Sequence, residues 1–186
     1  MIATQTNIKM AHNYRIFVEK YPEFQVEASS LRSELNENLQ LDLQSLRLLN
    51  VYDLFGFTPE LLEKSRYSVF GEIVTDKVSD ECDLTGTKYI AVEYLPGQFD
   101  QRAASAVDCV HLIDPKADVR IKSSKLIILP ADVEDETIAK IKHYFINAVE
   151  SREKDLSKLT DSEAAAVKPV PVLDGFTKMT EADLEP

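Results

Sequence analysis

Apolar positions along the chain change their period several times, and each change marks an element. Tyr14-Arg15-Ile16-Phe17-Val18-Glu19 is short, aromatic and β-branched, which predicts a strand. Phe24, Ala28, Leu31, Leu35 and Leu39 then recur at intervals of three and four, the mark of one helix face. Alternation returns from Ser45 to Tyr52, with Leu46 and Leu48 on one side and Leu49 and Val51 on the other. Apolar residues on both sides predict a strand covered on both faces. In Thr58-Pro59-Glu60 a capping hydroxyl, a proline at the first helical position and an acid at the positive helix end come together. The helix so begun should run to about Phe70 and end at Gly71.

The second half replays that order. Lys88 to Tyr94 reads as a strand, and Asp100 as the cap of a helix carrying Ala103, Val107, Val110 and Ile113. Val119 to Ile121 begins a strand that Lys125 to Leu129 continues or replaces. Asp132 is placed to cap a last helix with Ile138, Ile141, Phe145 and Ala148 on its face. Arg15 to Tyr89, Leu46 to Arg120 and Thr58 to Asp132 are each 74 residues apart. A shared offset in two strands and a cap points to internal duplication.

The expected fold class is therefore α/β of the α+β kind. Duplicated strand–helix–strand–helix units, about residues 14–75 and 88–149, would form a pseudo-dimer within a domain spanning 14–150. The two small sheets would need each other, or helices, to cover their faces. Residues 1–13 read as a polar, disordered leader. After Glu150 the pattern decays, and 151–186 reads as a linker stiffened by Pro169 and Pro171. Leu173, Phe176 and Met179 look like the first anchors of something that follows.

Charge narrows the partners. The 186 residues carry 32 acidic against 21 basic side chains, a net charge of −11, with no dense basic cluster. Such a chain repels polyanions, so neither nucleic acid nor a membrane is an expected partner. No apolar run reaches spanning length, and the N-terminus lacks the apolar core of a signal peptide, which predicts a cytoplasmic protein. Two cysteines are too few for a disulfide scaffold. Cys109 reads as a small buried hydrophobe, and Cys82 as a thiol whose pKa is raised by Asp80, Glu81 and Asp83.

Catalytic patterns are missing. His12, His111 and His143 lie far apart without metal-ligand spacing, and Asp76, Asp80, Glu81 and Asp83 read as a solvated loop rather than a calcium site. There is no Gly-x-Ser-x-Gly, no Cys-x-x-Cys, no His-Glu-x-x-His and no glycine-rich phosphate cradle. No catalytic, cofactor-binding or metal-ligating residue is assigned to the chain.

Leu95-Pro96-Gly97-Gln98-Phe99-Asp100-Gln101-Arg102 is the most informative stretch. Pro96 and Gly97 turn the chain out of a strand, and Asp100 caps the next helix. Gln98, Phe99, Gln101 and Arg102 add amides, a ring and a guanidinium beyond what a turn requires. Two readings stay open. One is a solvated turn in which Phe99 packs locally; the other is a contact surface whose arginine meets a phosphate or a partner's carboxylate.

The run from Lys88 to Ala103, above all Pro96-Gly97-Gln98-Phe99-Asp100-Gln101-Arg102-Ala103, resembles the N-terminal region of large, single-chain phosphoribosylformylglycinamidine synthases. Tyr14 to Lys20, Val51-Tyr52-Asp53 and Leu173-Asp174-Gly175-Phe176 are similar to the same proteins, so the likeness covers about residues 14–180. Ala104 departs from it, since relatives would carry Asp there. The resemblance implies a domain built like a dimer of the small accessory subunit of multi-subunit versions. It would be followed by a helical linker, an ATP-using synthase core and a glutaminase. The full enzyme would convert formylglycinamide ribonucleotide, ATP and glutamine to the amidine in purine biosynthesis. ATP and magnesium would sit in the synthase core, not here. This chain would be a non-catalytic scaffold whose partners are the other domains of the same polypeptide, met through Gln98, Phe99, Gln101 and Arg102. The alternative is an independent, self-associating α/β module that binds a small ligand.

Overall fold

In a computed structural model, residues 12–159 are described. Most of the expected leader, the two prolines of the expected linker and the anchors Leu173, Phe176 and Met179 lie outside them. The strands are β1 (His12–Lys20), β2 (Arg47–Phe57), β3 (Asp76–Ser79), β4 (Thr87–Tyr94), β5 (Arg120–Pro130) and β6 (Ser151–Glu153). The helices are α1 (Val26–Leu39), α2 (Pro59–Ser65), α3 (Gln101–Ile113) and α4 (Asp135–Phe145). The chain is thus of mixed α/β class.

All six strands join one antiparallel sheet in the order β3-β1-β2-β5-β4-β6. The expected pair of small sheets is instead continuous, because β2 and β5 zip together over nine residue pairs, from Arg47 opposite Ile128 to Phe55 opposite Arg120. Each central strand also pairs on its other side, β2 with β1 from Leu49 to Phe57 and β5 with β4 from Ser124 to Pro130. β5 runs unbroken through the segment that the sequence left divided at Lys122–Ser124.

Register decides which side chains share a face, since directly opposed residues point the same way and neighbours alternate. Ile16, Val18, Tyr52, Leu54, Ile121, Ile127, Leu129, Ile90 and Val92 point to one side. There they meet every helix. One apolar cluster joins Ile16, Val18, Tyr52 and Leu54 to Leu61 and Leu62 of α2 and to Ala103, Ala106 and Val110 of α3. A second joins Ile90, Val92, Ile127 and Leu129 to Ala28, Leu31 and Leu35 of α1 and to Ile141 of α4. Leu49, Val51, Ala91, Leu126 and Ile128 form a third cluster on the rear face, under Phe17, Cys82, Leu84 and Leu156. β2 is covered on both faces, as its two apolar sides foretold.

Several expectations need correction. Composition places Asp76 in a solvated acidic loop, yet it lies in β3, is buried and accepts from Lys20 Nζ and from the Glu72 amide, both at 3.0 Å. β6 and the segment after it belong to the domain, because Lys154 is buried against the rear of the sheet. Its boundary at Glu150 was therefore drawn too early. At the other end His12 and Asn13, expected in the leader, already belong to β1, where His12 pairs with Phe57. Asp132 does not cap α4; Glu134 holds that position without a side-chain bond, two residues further on.

Cys109 is exposed rather than buried. Buried positions on α3 are Ala103, Ala106 and Val110, and a helical period through them turns Cys109 outward. The Cys82 pKa is raised as expected, but burial is the first cause. Glu19 and Asp83 push the same way, while Arg47 and Lys77 oppose them.

A uniform offset of 74 also fails at one strand. If Arg15 stands for Tyr89, then Asp53, the partner of Arg15, must stand for Ile128, the partner of Tyr89. That separation is 75 (128 less 53), so a single offset of 74 does not relate both strand pairs.

Candidate functional site

The junction between β4 and α3 is built around one carboxylate. Asp100 Oδ1 accepts from the Ala103 amide at 2.9 Å, the expected cap, and from the Ser123 hydroxyl at 2.8 Å. Its Oδ2 accepts from the Ser123 amide at 2.8 Å. One side chain therefore both starts the helix and ties it to β5, where the sequence pointed to the cap alone. The turn before it closes through Gln98 N to Leu95 O at 3.0 Å, and the Leu95 amide reaches Glu150 O at 2.8 Å. Gly97 has φ +89° with open space where a Cβ would stand, so it is the backbone angle that calls for glycine.

Side chains from this fixed turn point outward. Phe99 is 76% exposed, which rules out a locally packed ring. Gln98, Gln101 and Arg102 are exposed as well, and Gln98 Nε2 donates to Val149 O at 3.3 Å. That bond brings in Val149, itself 74% exposed, and Tyr94 at the end of β4 is 45% exposed. An apolar rim of Tyr94, Phe99 and Val149 thus surrounds the amides. Sequence reasoning missed Tyr94 and Val149. Tyr94 has the alternation of an ordinary strand residue, and only the fold brings Val149 across the sheet.

Arg102 makes one hydrogen bond among the described residues, from Nη1 to the Tyr52 hydroxyl at 3.4 Å. Burial works against its charge, but the bond to Tyr52 and the fields of Tyr52, Glu27 and Asp100 leave its pKa raised. It stays a cation with most of its donors unspent. Ala104, at the departure from the resemblance, sits in the first turn of α3 with its amide on Asp100 O at 2.9 Å.

A second charged cluster lies on the rear face, and nothing in the sequence brought its residues together as one. Asp53 is held by Arg15 Nε at 2.5 Å and by Lys154 Nζ at 2.7 Å. Lys154 also reaches Glu93 at 3.0 Å, and Arg152 meets Glu93 at 2.8 Å. Arg15 further donates to the carbonyls of Leu156 and Lys158. Every member has an opposite charge beside it. The cluster is a clamp on the chain after β6, not a site with spare capacity.

His12, His111 and His143 are exposed and apart, and the ring of His111 lies 3.1 Å from Ala117 O. Among the described residues no group of His, Cys, Asp and Glu could hold a metal, and no helix is long and apolar enough to cross a membrane. The arrangement at β4–α3 therefore has the chemistry of recognition: a rigid turn, an exposed ring, two amides and an under-used guanidinium. In comparisons with known proteins, no family matches the chain and no curated protein matches it.

Proposed function

We propose that the chain is the N-terminal scaffold domain of a phosphoribosylformylglycinamidine synthase and that the β4–α3 junction meets the other domains of that enzyme. One observation carries this reading. The segment with the most specific likeness is the one whose Phe99, Gln101 and Arg102 are held on a rigid, triply bonded Asp100 turn and left facing outward. Exposed aromatic residues and arginines are the usual anchors of an interface. The arginine fork suits a carboxylate across the junction. The domain does no chemistry itself. ATP and magnesium belong to the synthase core of the parent enzyme, which works in the cytoplasm on formylglycinamide ribonucleotide and glutamine.

The accessory-subunit likeness also requires two related halves. Its support is the symmetry of the sheet, in which β1-β2 and β4-β5 flank a central β2–β5 pairing and each pair carries one helix between its strands. With β2 shifted to the 75-residue offset, Ile16, Val18, Tyr52 and Leu54 correspond to Ile90, Val92, Ile127 and Leu129, the strand residues of the two helix-side clusters.

The test is an assay of the parent enzyme carrying Phe99→Ala and Arg102→Ala together. Glutamine-dependent amidine formation should fall about tenfold or more, the loss of roughly 1.4 kcal/mol of coupling. The chain alone should keep its thermal midpoint, because Phe99 is exposed and Arg102 makes one long hydrogen bond. Normal glutamine-dependent rates in the double variant would remove the interface, and glutamate or ADP release by the purified chain alone would remove the assignment.

A further inference from the structure

Asp76 does for one turn what Asp100 does for the β4–α3 junction. Its buried Oδ2 accepts from Lys20 Nζ, the Glu72 amide and the Thr75 hydroxyl, each at 3.0 Å. The amides of Thr75 and Asp76 return to Glu72 O at 3.1 and 2.8 Å, and the Tyr21 amide donates to Thr75 O at 2.9 Å. The turn from Glu72 to Thr75 is therefore closed on itself and tied to the chain that leaves β1 for α1. Its two remaining residues are apolar and are held outward: Ile73 is 72% exposed and Val74 69%.

The chain bonded to this turn carries three more exposed apolar residues, Tyr21, Phe24 and Val26. Five of the twelve large apolar side chains exposed among the described residues thus fall in two bonded segments. Single apolar residues scattered over a surface need no explanation, whereas a cluster of them marks a contact with another molecule. The same two segments carry Glu23 and Glu72. Glu72 accepts from the Thr75 hydroxyl at 3.4 Å, and among the described residues no cation pairs with either acid. Neighbouring cations are engaged elsewhere: Lys20 on Asp76, Lys125 on Glu27, and Lys77 along the cleft around Cys82.

Charge selects the occupant. A second copy would bring a net charge of −11 and the same two carboxylates against this face. Anionic lipid is refused for the same reason. Apolar side chains bordered by lysine or arginine meet both features of the patch. A helix is the element that gathers apolar residues into one stripe with basic ones along its borders. We propose that this face docks a cationic amphipathic helix of a partner protein. Its apolar stripe packs on Phe24, Val26, Ile73 and Val74, and its basic residues meet Glu23 and Glu72. The inference goes beyond the scaffold reading and uses none of the Gln98–Arg102 surface.

The 186-residue chain is titrated with a synthetic helical peptide of leucine and lysine, about four turns long, while amide NMR shifts are read. The control is the same peptide with glutamate in place of lysine. The lysine peptide should give saturable shifts confined to residues 21–27 and 72–76, and the glutamate peptide none. Ile73→Ser with Val74→Ser should weaken binding at least ~10-fold. The thermal midpoint of the free chain should stay in place, since both residues are exposed. Glu23→Gln with Glu72→Gln should also weaken binding about tenfold and lessen its dependence on salt. No saturation by about 1 mM peptide overturns the proposal. So does wild-type affinity in either pair of substitutions, or shifts spread over acidic residues elsewhere on the chain. Sedimentation of the free chain as a dimer that Ile73→Ser and Val74→Ser dissolve would give the face to a second copy and overturn it as well. Each of these outcomes is independent of activity in the parent enzyme.

Discussion

The two faces of one sheet treat their polar groups in opposite ways. On the rear face Asp53, Lys154, Arg15, Glu93 and Arg152 form a closed set in which each charge has a partner. On the helix face Asn50 has an unpaired buried oxygen and Arg102 a single long bond. The five charges of this set satisfy one another, and Lys122 beside them lies over the Phe55 ring. The helix face, apolar for most of its area, keeps a seam of unmatched groups at its centre. Saturation, rather than the amount of charge, separates a structural cluster from a candidate site.

The largest effect should come from opening the closed set. Lys154→Met leaves Asp53, only 3% exposed, with Arg15 alone and takes one of two cations from Glu93. Breaking a buried pair in this way costs about 3 kcal/mol, the lower end of the usual range, because Arg15 remains. Urea denaturation of the chain measures it. A loss below about 1 kcal/mol would mean that the rear cluster is as solvated as a surface pair, and the contrast between faces would collapse.

Next in size is the β4–α3 junction. Asp100→Ala removes the helix cap and both contacts with Ser123, and should cost about 2 kcal/mol, more than a lone cap contributes. Arg102→Ala, two residues on, should change the stability of the chain by less than about 0.5 kcal/mol. The pair separates what holds the turn from what the turn presents. Equal losses in the two variants would make Arg102 a structural residue and undercut the interface proposal.

Much of this was legible in the sequence. β1, β2, β4 and the four helices follow their apolar periods except at two ends, where Phe24 precedes α1 and is 42% exposed and Ala148 lies beyond α4. Thr58 caps α2 as expected, accepting from the Leu61 amide at 3.2 Å. β3 and β6 escaped because Asp76-Lys77-Val78-Ser79 and Ser151-Arg152-Glu153 are short edge strands with almost no apolar side to alternate. Both carry charges of the kind that protect sheet edges, and these resemble loop composition. Ala131-Asp132-Val133-Glu134 offers two acids before α4, and the earlier one was the wrong choice. At the site the turn and its cap could be read from Pro96, Gly97 and Asp100. Ser123, Asn50 and Val149 could not, since each reaches the site through long-range strand pairing.

The smallest effect concerns the chain segment that closes the rear face. Asp155 comes directly after the buried Lys154 and accepts from Lys158 Nζ at 2.8 Å, from the Ser157 hydroxyl at 2.6 Å and from the Ser157 amide at 3.0 Å. The bond from Lys158, then those from Ser157, lower its pKa from 3.8 to about 2. Since the folded value lies below the unfolded one, the unfolded chain takes up the proton first as pH falls. The contribution of Asp155 is therefore complete above its ordinary pKa of 3.8 and is lost as pH falls to about 2. Its side chain is exposed, so the effect should be small beside that of Lys154. Asp155→Asn should make the chain slightly less stable than the wild type at pH 6, and the gap should close by about pH 2. Thermal midpoints of both proteins across that interval test it. A gap that stays constant with pH would assign the role of Asp155 to its uncharged bonds with Ser157, and the rear closure would then owe nothing to this carboxylate's charge.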